Sequence, residues 1–211
     1  GVEGYVSAAY LHKLGAQVTV LDVKNEEEIS RETKANLQQL GVQFHFGKTY
    51  KDELQGFDII VRSPGVKLSL SEREELKKHK TLITSQTQLF LEWCPSRVIG
   101  VTGTKGKGTT SSLIYEMVKE SGLDSYLGGN IGVPPFTFMD SLEKTSDVIL
   151  DLSSFQLEDV TISPHIAVIL MIVPDHLHYH SDMSEYVEAK RNILRYQTSE
   201  DFAVINRDYP P

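Results

Sequence analysis

A glycine-rich loop that carries two lysines is the part of this chain best suited to chemistry. Lys105 and Lys107 stand among glycines in residues 98–112, which read VIGVTGTKGKGTTSS. Glycines let backbone N–H groups converge on an anion, the helix start that follows adds its positive dipole end, and a lysine can reach the outer phosphates of a nucleotide. The loop therefore predicts a nucleotide site in which Lys107 contacts the β- and γ-phosphates. The simpler alternative is a glycine-rich turn between a strand and a helix.

Hydroxyl and carboxylate groups near this loop are candidates to hold Mg²⁺. The strict pattern G-x-x-x-x-G-K-[ST] is not met, because Gly108 follows Lys107 where a hydroxyl residue is expected. Thr109 or Thr110 then offers the hydroxyl, and Asp151, at the end of an apolar strand, offers a carboxylate. An aspartate at a strand end also commonly caps a turn or a helix, so both interpretations of Asp151 stay open.

Three histidines follow the most apolar predicted strand at alternating positions, His176, His178 and His180. The spacing His-x-His is known among zinc ligands, which makes a zinc hydrolase one hypothesis. Mg²⁺ is a hard cation, and beside a phosphate it would take one histidine at most. We favour a polar loop with one functional histidine.

Lys190 is predicted to point inward from a helix. Tyr186, Lys190, Ile193 and Leu194 share one helical face, and Asp182 with Glu185 forms a plausible capping box that supports this register. The alternative is a lysine at the edge of the stripe that extends its ammonium group into water.

Strands and helices alternate along the chain and must position these groups. Predicted strands cover residues 18–21, 42–46, 58–61, 81–83, 98–102, 148–152, 166–173 and 202–206. Predicted helices cover residues 7–14, 29–40, 72–79, 86–93, 109–121 and 183–195. Mostly apolar strands between helices are typical of parallel sheets whose ligands bind beyond the carboxyl ends of the strands.

The polar segment 94–97 contains Pro95 and interrupts this alternation. We therefore predict an α/β protein of two domains. Residues 1–95 form a Rossmann-like N-terminal domain that is truncated at its start. Residues 96–211 form a P-loop-type ATPase domain with a mostly parallel sheet, truncated at its end.

Composition narrows the classes of partner. The chain of 211 residues has a formal charge of −8, which argues against non-specific binding to nucleic acid or to acidic membrane surfaces. The longest apolar run, residues 166–173, is far shorter than the roughly 20 residues that cross a bilayer, so we expect no membrane segment. Cys94 is the one cysteine, which fits a reducing compartment and indicates the cytoplasm. We expect a monomer.

Both ends of the sequence look cut. The chain begins at Gly1 inside a glycine turn and stops at residues 209–211 just after a predicted strand, so we expect a fragment. Asp22 closes the strand after the first helix, where an acidic side chain could meet a ribose, and Ser63 lies at the end of another strand. These residues do not separate a nicotinamide site from a uridine nucleotide site or from unliganded turns.

Two longer segments carry a family resemblance. Residues 129–134, GNIGVP, and residues 151–157, DLSSFQL, resemble the Mur ligases, and supporting segments follow in the family's order along the whole chain. The resemblance is to those members that join D-glutamate to UDP-N-acetylmuramoyl-L-alanine. It implies ATP, Mg²⁺ and an acyl-phosphate intermediate, in peptidoglycan precursor synthesis. It also implies a three-domain enzyme, of which the third domain is absent here, so that this fragment alone should be inactive.

The resemblance also implies roles for individual residues. The ATP cradle comprises Gly103, Thr104, Lys105, Gly106, Lys107, Gly108, Thr109 and Thr110. Catalytic roles fall to Lys107, His176 and Lys190, and metal binding to Thr109, Asp151, His176 and a carbamylated Lys190. Asn130, Ser153 and Gln156 would face the UDP-sugar substrate, and Asp22 and Ser63 would line the uridine diphosphate pocket.

The chain also departs from the family pattern. Asp151 stands where the family usually has glutamate, and Gly108 resembles the related folylpolyglutamate synthases. His178 takes a position that is commonly aspartate, and Gln86 and Gln88 replace acidic residues. A folylpolyglutamate-synthase-like ligase and a catalytically impaired nucleotide-binding module are therefore the alternative hypotheses.

Overall fold

The computed structural model describes residues 1–208 and divides the chain into two compact units. The first unit is residues 1–86, and the second begins at Thr87. The predicted domain boundary between residues 95 and 96 lies nine residues later than this division. The predicted strand that precedes residues 209–211 is described, whereas those three residues lie outside the description.

The first unit contains two separate pairs of parallel strands. Strand β1 (Thr19–Asp22) pairs with β2 (Gln43–Phe46), and β3 (Ile59–Arg62) pairs with β4 (Leu82–Ser85). Its helices are α1 (Val2–Lys13), α2 (Arg31–Gln39) and α3 (Leu70–Lys78), with short 3₁₀ turns at Glu26–Glu28 and Tyr50–Gly56. The α/β alternation that the sequence predicts is therefore present in this unit.

Two small apolar clusters hold these pairs of strands against their helices. Ala8, Leu37 and Val42 form one cluster, which joins α1 and α2 to the start of β2. The second cluster consists of Leu54, Leu68 and Leu76, packed against Leu21, Ile60 and Ile83. Each burial removes apolar surface from water, which is the main force that fixes helices on strands.

The second unit contains one parallel sheet of five strands. In chain order it comprises α4 (Gln86–Trp93), β5 (Arg97–Thr102), α5 (Lys107–Glu120), β6 (Ser125–Gly129), β7 (Asp147–Asp151), α6 (Ser154–Leu157), β8 (Ile166–Ile169), α7 (Met183–Arg195) and β9 (Phe202–Ile205). The strand order is β6-β7-β5-β8-β9. The predicted α/β class and the mostly parallel sheet are confirmed.

The core of the second unit lies at the middle of this sheet. Ile99, Val101, Ile149 and Val168 form one buried cluster between β5, β7 and β8. Strands that are buried on both faces read as continuous apolar runs, which explains why residues 98–102 and 148–150 were recognisable from sequence. Among residues 1–208, none of the helices is both long and apolar enough to cross a membrane.

Several predicted boundaries and elements differ in detail from the structure. Helix α1 begins at Val2, five residues before the predicted start, so Gly4 lies inside the helix and not in a turn. Strand β6 was missed, because Ser125–Gly129 contains two glycines and no apolar run. Strand β8 ends at Ile169 although the apolar run continues to residue 173. The Leu170 N–H still donates to the carbonyl of Thr102 at the end of β5, whereas Met171 and Val173 bond to Thr104 in the loop after β5.

Candidate functional site

The carboxyl ends of parallel strands place the glycine-rich loop, Asp151 and the segment after β8 along one edge of the second unit's sheet. Asp151 is the last residue of β7 and lies in register with Val101 on β5 and with Gly129 on β6. The glycine-rich loop follows β5, and residues 170–173 follow β8. This edge is where ligands of parallel α/β sheets bind.

Glycine is required at two positions of the loop. Gly103 has a φ of +149°, and a Cβ there would lie 2.8 Å from the Cβ of Leu170. Gly106 is in the left-handed region with a φ of +84°, immediately before α5 begins at Lys107. The first N–H groups of a helix have no intrahelical acceptor, and the helix dipole adds partial positive charge there. The loop and the start of α5 can therefore hold an anion such as a phosphate.

Two lysine ammonium groups converge on the carbonyl oxygen of Gly103. The Nζ of Lys107 donates to this oxygen at 3.1 Å and to the carbonyl of Thr104 at 3.3 Å. The Nζ of Lys190 donates to the Gly103 oxygen at 2.9 Å and to the Thr102 hydroxyl at 3.3 Å. Lys105, by contrast, is exposed. The loop thus concentrates positive charge at the start of α5.

Lys190 is buried, as its position in the apolar stripe of α7 predicts. Its side chain is 2% exposed, between Tyr186 and Ile193, which are also buried. Burial first, and the Lys107 ammonium second, lower the pKa of Lys190 from 10.5 to about 7, against the opposing charges of Asp151 and Asp175. A large fraction of Lys190 is therefore a neutral amine near pH 7.

Asp182 accepts a hydrogen bond from the Glu185 N–H at 2.8 Å and caps α7, but Glu185 bonds to Ser181, so the predicted capping box is only half formed.

Asp151 presents a carboxylate oxygen that needs a partner. The residue is 1% exposed, and its Oδ1 has no hydrogen-bond partner among the described residues. Burial raises the pKa of the Asp151 carboxyl, whereas Lys107, Lys190 and a hydrogen bond from Asn130 act in the opposite direction. A buried oxygen without a partner is costly unless a ligand satisfies it. A cation beside the phosphate loop is such a ligand.

Gly108 brings the first turn of α5 close to this carboxylate. A Cβ at residue 108 would lie 3.8 Å from Asp151 Oδ2 and 2.0 Å from the Cδ1 of Ile131. Ile131 thus fills the space that a side chain at residue 108 would take. Thr109 is exposed and Thr110 half-buried, and the assignment of a metal-binding hydroxyl to Thr109 stays a prediction.

The Thr104 side chain is committed to the protein itself. Its hydroxyl donates to the carbonyl of Val173 at 3.0 Å and lies 3.0 Å from the hydroxyl of Tyr186. The Thr104 N–H donates to the carbonyl of Met171 at 2.8 Å. The Thr104 hydroxyl therefore stabilises the loop. In this arrangement it is not free to make the predicted contact with ATP.

The three histidines lie in different environments. His176 has a φ of +54°, and its N–H donates to Asp175 Oδ1 at 2.9 Å, with its ring partly exposed. His178 is exposed. His180 is buried, with its Nε2 3.0 Å from the Ser154 hydroxyl and its ring stacked on Phe155 at 5.6 Å. Within residues 1–208, no three histidine, cysteine, aspartate or glutamate residues are grouped to hold a metal, so the zinc hypothesis finds no site.

The residues predicted to face a sugar nucleotide lie beside Asp151. Ser153 and Gln156 form a capping box at the start of α6, in which the Ser153 N–H donates to Gln156 Oε1 at 3.0 Å. The Asn130 N–H donates to the Asp151 carbonyl at 2.8 Å. Gly129 permits this approach, because a Cβ there would lie only 2.3 Å from that carbonyl oxygen. The geometry places these residues at the sheet edge, and their role toward a substrate stays a prediction.

In the first unit, Asp22 and Ser63 both lie near α1. Asp22 Oδ2 accepts a hydrogen bond from the Tyr5 hydroxyl at 3.4 Å. Burial first, and then Asp22, raise the pKa of Tyr5 to about 12. A Cβ at Gly4 would lie 3.0 Å from the Ser63 hydroxyl, so the first turn of α1 passes close to Ser63.

Two aromatic residues of the site were not predicted as site residues. Phe155 contacts the ring of His176 at 5.0 Å between centroids, and the Tyr186 ring lies 4.8 Å from the Lys190 Nζ. Tyr186 was recognised only as a member of the apolar stripe, and Phe155 only as part of a sequence motif. Only the position of Tyr186 in the sequence could have indicated its role, since it stands one helical turn before Lys190 and therefore on the same helix face.

Comparison with known proteins supports one family. The family model for the Mur ligase middle domain matches residues 101–210, and the model for the N-terminal domain of MurD-like Mur ligases matches residues 1–85. The UDP-N-acetylmuramoylalanine--D-glutamate ligase of Acetivibrio thermocellus is 42% identical over 95% of this chain and 43% of its own length. The corresponding ligase of Clostridium botulinum strain Loch Maree is 39% identical over 99% of this chain and 45% of its own length. The chain thus spans less than half the length of these relatives.

Solved structures show the same fold. A UDP-N-acetylmuramate:L-alanyl-gamma-D-glutamyl-meso-diaminopimelate ligase from Neisseria meningitides has a TM-score of 0.59 and 21% identity, covering 98% of this chain and 68% of its own. A murein peptide ligase from Psychrobacter arcticus has a TM-score of 0.55 and 19% identity, covering 99% of this chain and 47% of its own. At these identities the likeness shows the fold alone.

Proposed function

This chain belongs to the Mur ligase family, and we propose that the complete protein is an ATP-dependent ligase that joins D-glutamate to UDP-N-acetylmuramoyl-L-alanine. The reaction forms an amide bond in peptidoglycan precursor synthesis, in the cytoplasm. Relatives that bear the name of this ligase are 39–42% identical over nearly the whole chain, which supports the choice of substrates.

The observation that supports the ATP-dependent chemistry is the unpartnered Asp151 oxygen, which lies near the glycine-rich loop and near two lysine side chains. Asp151 Oδ1 is buried without a hydrogen-bond partner among residues 1–208, and Lys107 and Lys190 both act on its pKa. Hard cations prefer carboxylate oxygens, so the donor set fits Mg²⁺ bound with a nucleotide. Asp151, Thr109 and His176 would hold the metal, which when bound neutralises phosphate charge.

Lys107 has the main electrostatic role. Transfer of a phosphoryl group to a carboxylate is slow because two anions repel each other, and a fixed cation lowers that barrier. The Lys107 ammonium now lies on the Gly103 and Thr104 carbonyls, within the loop itself. It needs only a side-chain rotation to leave these oxygens for a bound phosphate. The amine of D-glutamate then attacks the acyl phosphate, and phosphate leaves as the amide forms.

Lys190 is the residue that we propose to be carbamylated. A neutral lysine amine attacks carbon dioxide, a C–N bond forms as one C–O π bond opens, and the nitrogen releases one proton, so that a neutral amine becomes an anionic carbamate. The lowered pKa of about 7 provides the neutral amine. Asp151 and Asp175 act on the pKa of Lys190, which places two carboxylates near the modified group. A carbamate there would add a third anionic group for a metal.

Each of the two units contributes proposed contacts with the UDP-sugar substrate. In the second unit, Asn130, Ser153 and Gln156 face the UDP-sugar substrate. In the first unit, Asp22 and Ser63 contact the uridine diphosphate part. D-Glutamate is received by a part of the protein outside this chain, which covers 43–45% of its relatives. We propose that the N-terminal domain extends over residues 1–95, the ATP-binding domain begins at residue 96, and the protein is a monomer.

The test is a substrate comparison with the complete reading frame. ATP-dependent phosphate release is measured with UDP-N-acetylmuramoyl-L-alanine and D-glutamate, and in parallel with a reduced folate and L-glutamate. The proposal predicts release with the first pair only. Release with the folate pair only would favour the folylpolyglutamate-type alternative. ATP binding without release in either mixture would favour the impaired nucleotide-binding module.

A further inference from the structure

Tyr186 contacts both the phosphate loop and the buried lysine of α7. Its side chain is 1% exposed, its hydroxyl lies 3.0 Å from Thr104 Oγ1, and its ring face lies 4.8 Å from the Lys190 Nζ. The two contacts use different parts of the side chain. The hydroxyl reaches the loop, whereas the ring reaches Lys190.

The hydrogen bonds of Thr104 fix the direction of its contact with Tyr186. The single hydroxyl proton of Thr104 goes to the Val173 carbonyl at 3.0 Å, and the same oxygen accepts the Val173 N–H at 3.0 Å. A threonine hydroxyl has one proton and two lone pairs. Tyr186 must therefore donate to the remaining lone pair, which satisfies all the bonding capacity of Thr104.

This bond fastens three parts of the site to one another. The Thr104 N–H also bonds to the Met171 carbonyl at 2.8 Å, so the loop is joined to residues 170–173 at several points. That segment leads directly to Asp175 and His176. Tyr186 adds α7, the helix that carries Lys190. Loop, strand end and helix are thus held in one arrangement before any nucleotide arrives.

We propose that Tyr186 is a positioning residue that holds the phosphate loop in its nucleotide-binding conformation through the hydroxyl of Thr104. This inference rests on the proposed function. Packing alone does not account for a tyrosine here, because phenylalanine fills nearly the same volume without burying a hydroxyl, and a buried hydroxyl is costly unless it is bonded. The hydroxyl meets the one open acceptor on Thr104.

The decisive variant is Tyr186→Phe in the complete protein, because it removes the hydroxyl and keeps the ring beside Lys190. Nucleotide affinity is measured with a fluorescent ATP analogue, and the KM values are measured for ATP and for the UDP-sugar substrate. We expect the dissociation constant for the analogue and the KM for ATP to rise about fivefold, the effect of one lost hydrogen bond. The KM for the UDP-sugar substrate stays unchanged. A general loss of folding would not produce this selectivity.

Thr104 variants measure the same bond from its other side. Thr104→Val removes the hydroxyl and should weaken binding of the analogue, whereas Thr104→Ser keeps the hydroxyl and should weaken it less. Because both residues act through one bond, Tyr186→Phe should add less weakening in the Thr104→Val protein than in the wild type. These variants keep the test available should Tyr186→Phe fold poorly. Tyr126→Phe is the matched control, since its hydroxyl bonds to the Ser141 carbonyl at 3.2 Å, away from the loop.

The outcomes separate this inference from the proposed function. An unchanged dissociation constant in Tyr186→Phe, or full additivity with Thr104→Val, would overturn the role of Tyr186 alone. Equal weakening by Tyr126→Phe would also overturn it, since the effect would then belong to any lost tyrosine hydroxyl. A wild-type protein that binds no ATP would overturn the proposed function together with this inference.

Discussion

Lys190 should react with carbon dioxide at a pH where an exposed lysine would not. The neutral amine is the reactive form, and burial together with Lys107 lowers the pKa of Lys190 from 10.5 to about 7. At pH 7 about half of the Lys190 amine is then neutral, compared with about 0.03% for a lysine of ordinary pKa. The structure thus gives Lys190 roughly a thousandfold advantage in reactive amine over surface lysines.

The direction in which carbamylation changes with pH follows from the lowered pKa of Lys190. Carbamate formation itself releases one proton, and below pH 7 the ammonium group must lose another first, so at a fixed concentration of dissolved carbon dioxide the extent of carbamylation should fall by about a hundredfold per unit below pH 6. Above pH 8 the extent should rise by about tenfold per unit until the amine is fully carbamylated. The assay is ¹³C NMR of the complete protein in ¹³C-labelled bicarbonate buffer without Mg²⁺, over pH 6 to 9.

Lys190→Ala is the control for this assay and a second test. The variant should lack the carbamate signal and the ligase activity, and short carboxylates such as acetate should partly restore activity by occupying the vacated space. A carbamate signal that persists in Lys190→Ala would show that another lysine reacts. Absence of the signal from the wild type across the whole pH range would refute the reasoning.

Three further substitutions test the site and its scaffold. Lys107→Ala should lower kcat at least about 100-fold, because it removes one preorganised charge. Lys119→Ala, at the far end of α5, is the control and should leave kcat unchanged. Equal kcat values in the two variants would contradict the role of Lys107. Asp151→Asn should weaken activation by Mg²⁺ more than Asp151→Glu, which keeps the charge, and an equal effect in a Mg²⁺ titration would remove Asp151 from the metal site. Gly129→Ala should destabilise the fold by about 2–5 kcal/mol, because φ is +104° and the new Cβ would lie 2.3 Å from the Asp151 carbonyl oxygen. Gly56→Ala is the control, since the space around Gly56 is open. Equal thermal midpoints in the two variants would contradict this prediction.

Much of the fold could be predicted from the sequence, because the central strands β5 and β7 of the second unit's sheet are buried. Strands β5 and β7 read as apolar runs, and helix α7 was predicted with its observed bounds from its stripe and its cap at Asp182. Local pattern was less informative where a backbone contact decides the structure. Strand β6 depends on Gly129 approaching Asp151, which no periodicity reveals.

The candidate site was predictable in its residue types but not in its contacts. The sequence indicated the phosphate loop and the inward direction of Lys190. It could not show that Thr104 turns into the protein, because Val173 and Tyr186, its partners, are distant along the chain. For the same reason β8 was predicted too long, since Met171 and Val173 bond to Thr104 in the loop and not to a neighbouring strand.

The central claim is that the loop between Gly103 and Thr110 binds the phosphates of ATP, and a crystal structure of the complete protein with a non-hydrolysable ATP analogue and Mg²⁺ tests it most directly. We expect phosphate oxygens on the backbone N–H groups at the start of α5. We also expect the Lys107 ammonium to leave the Gly103 carbonyl for the outer phosphates. An analogue bound at another place, with Lys107 still on Gly103, would contradict the account.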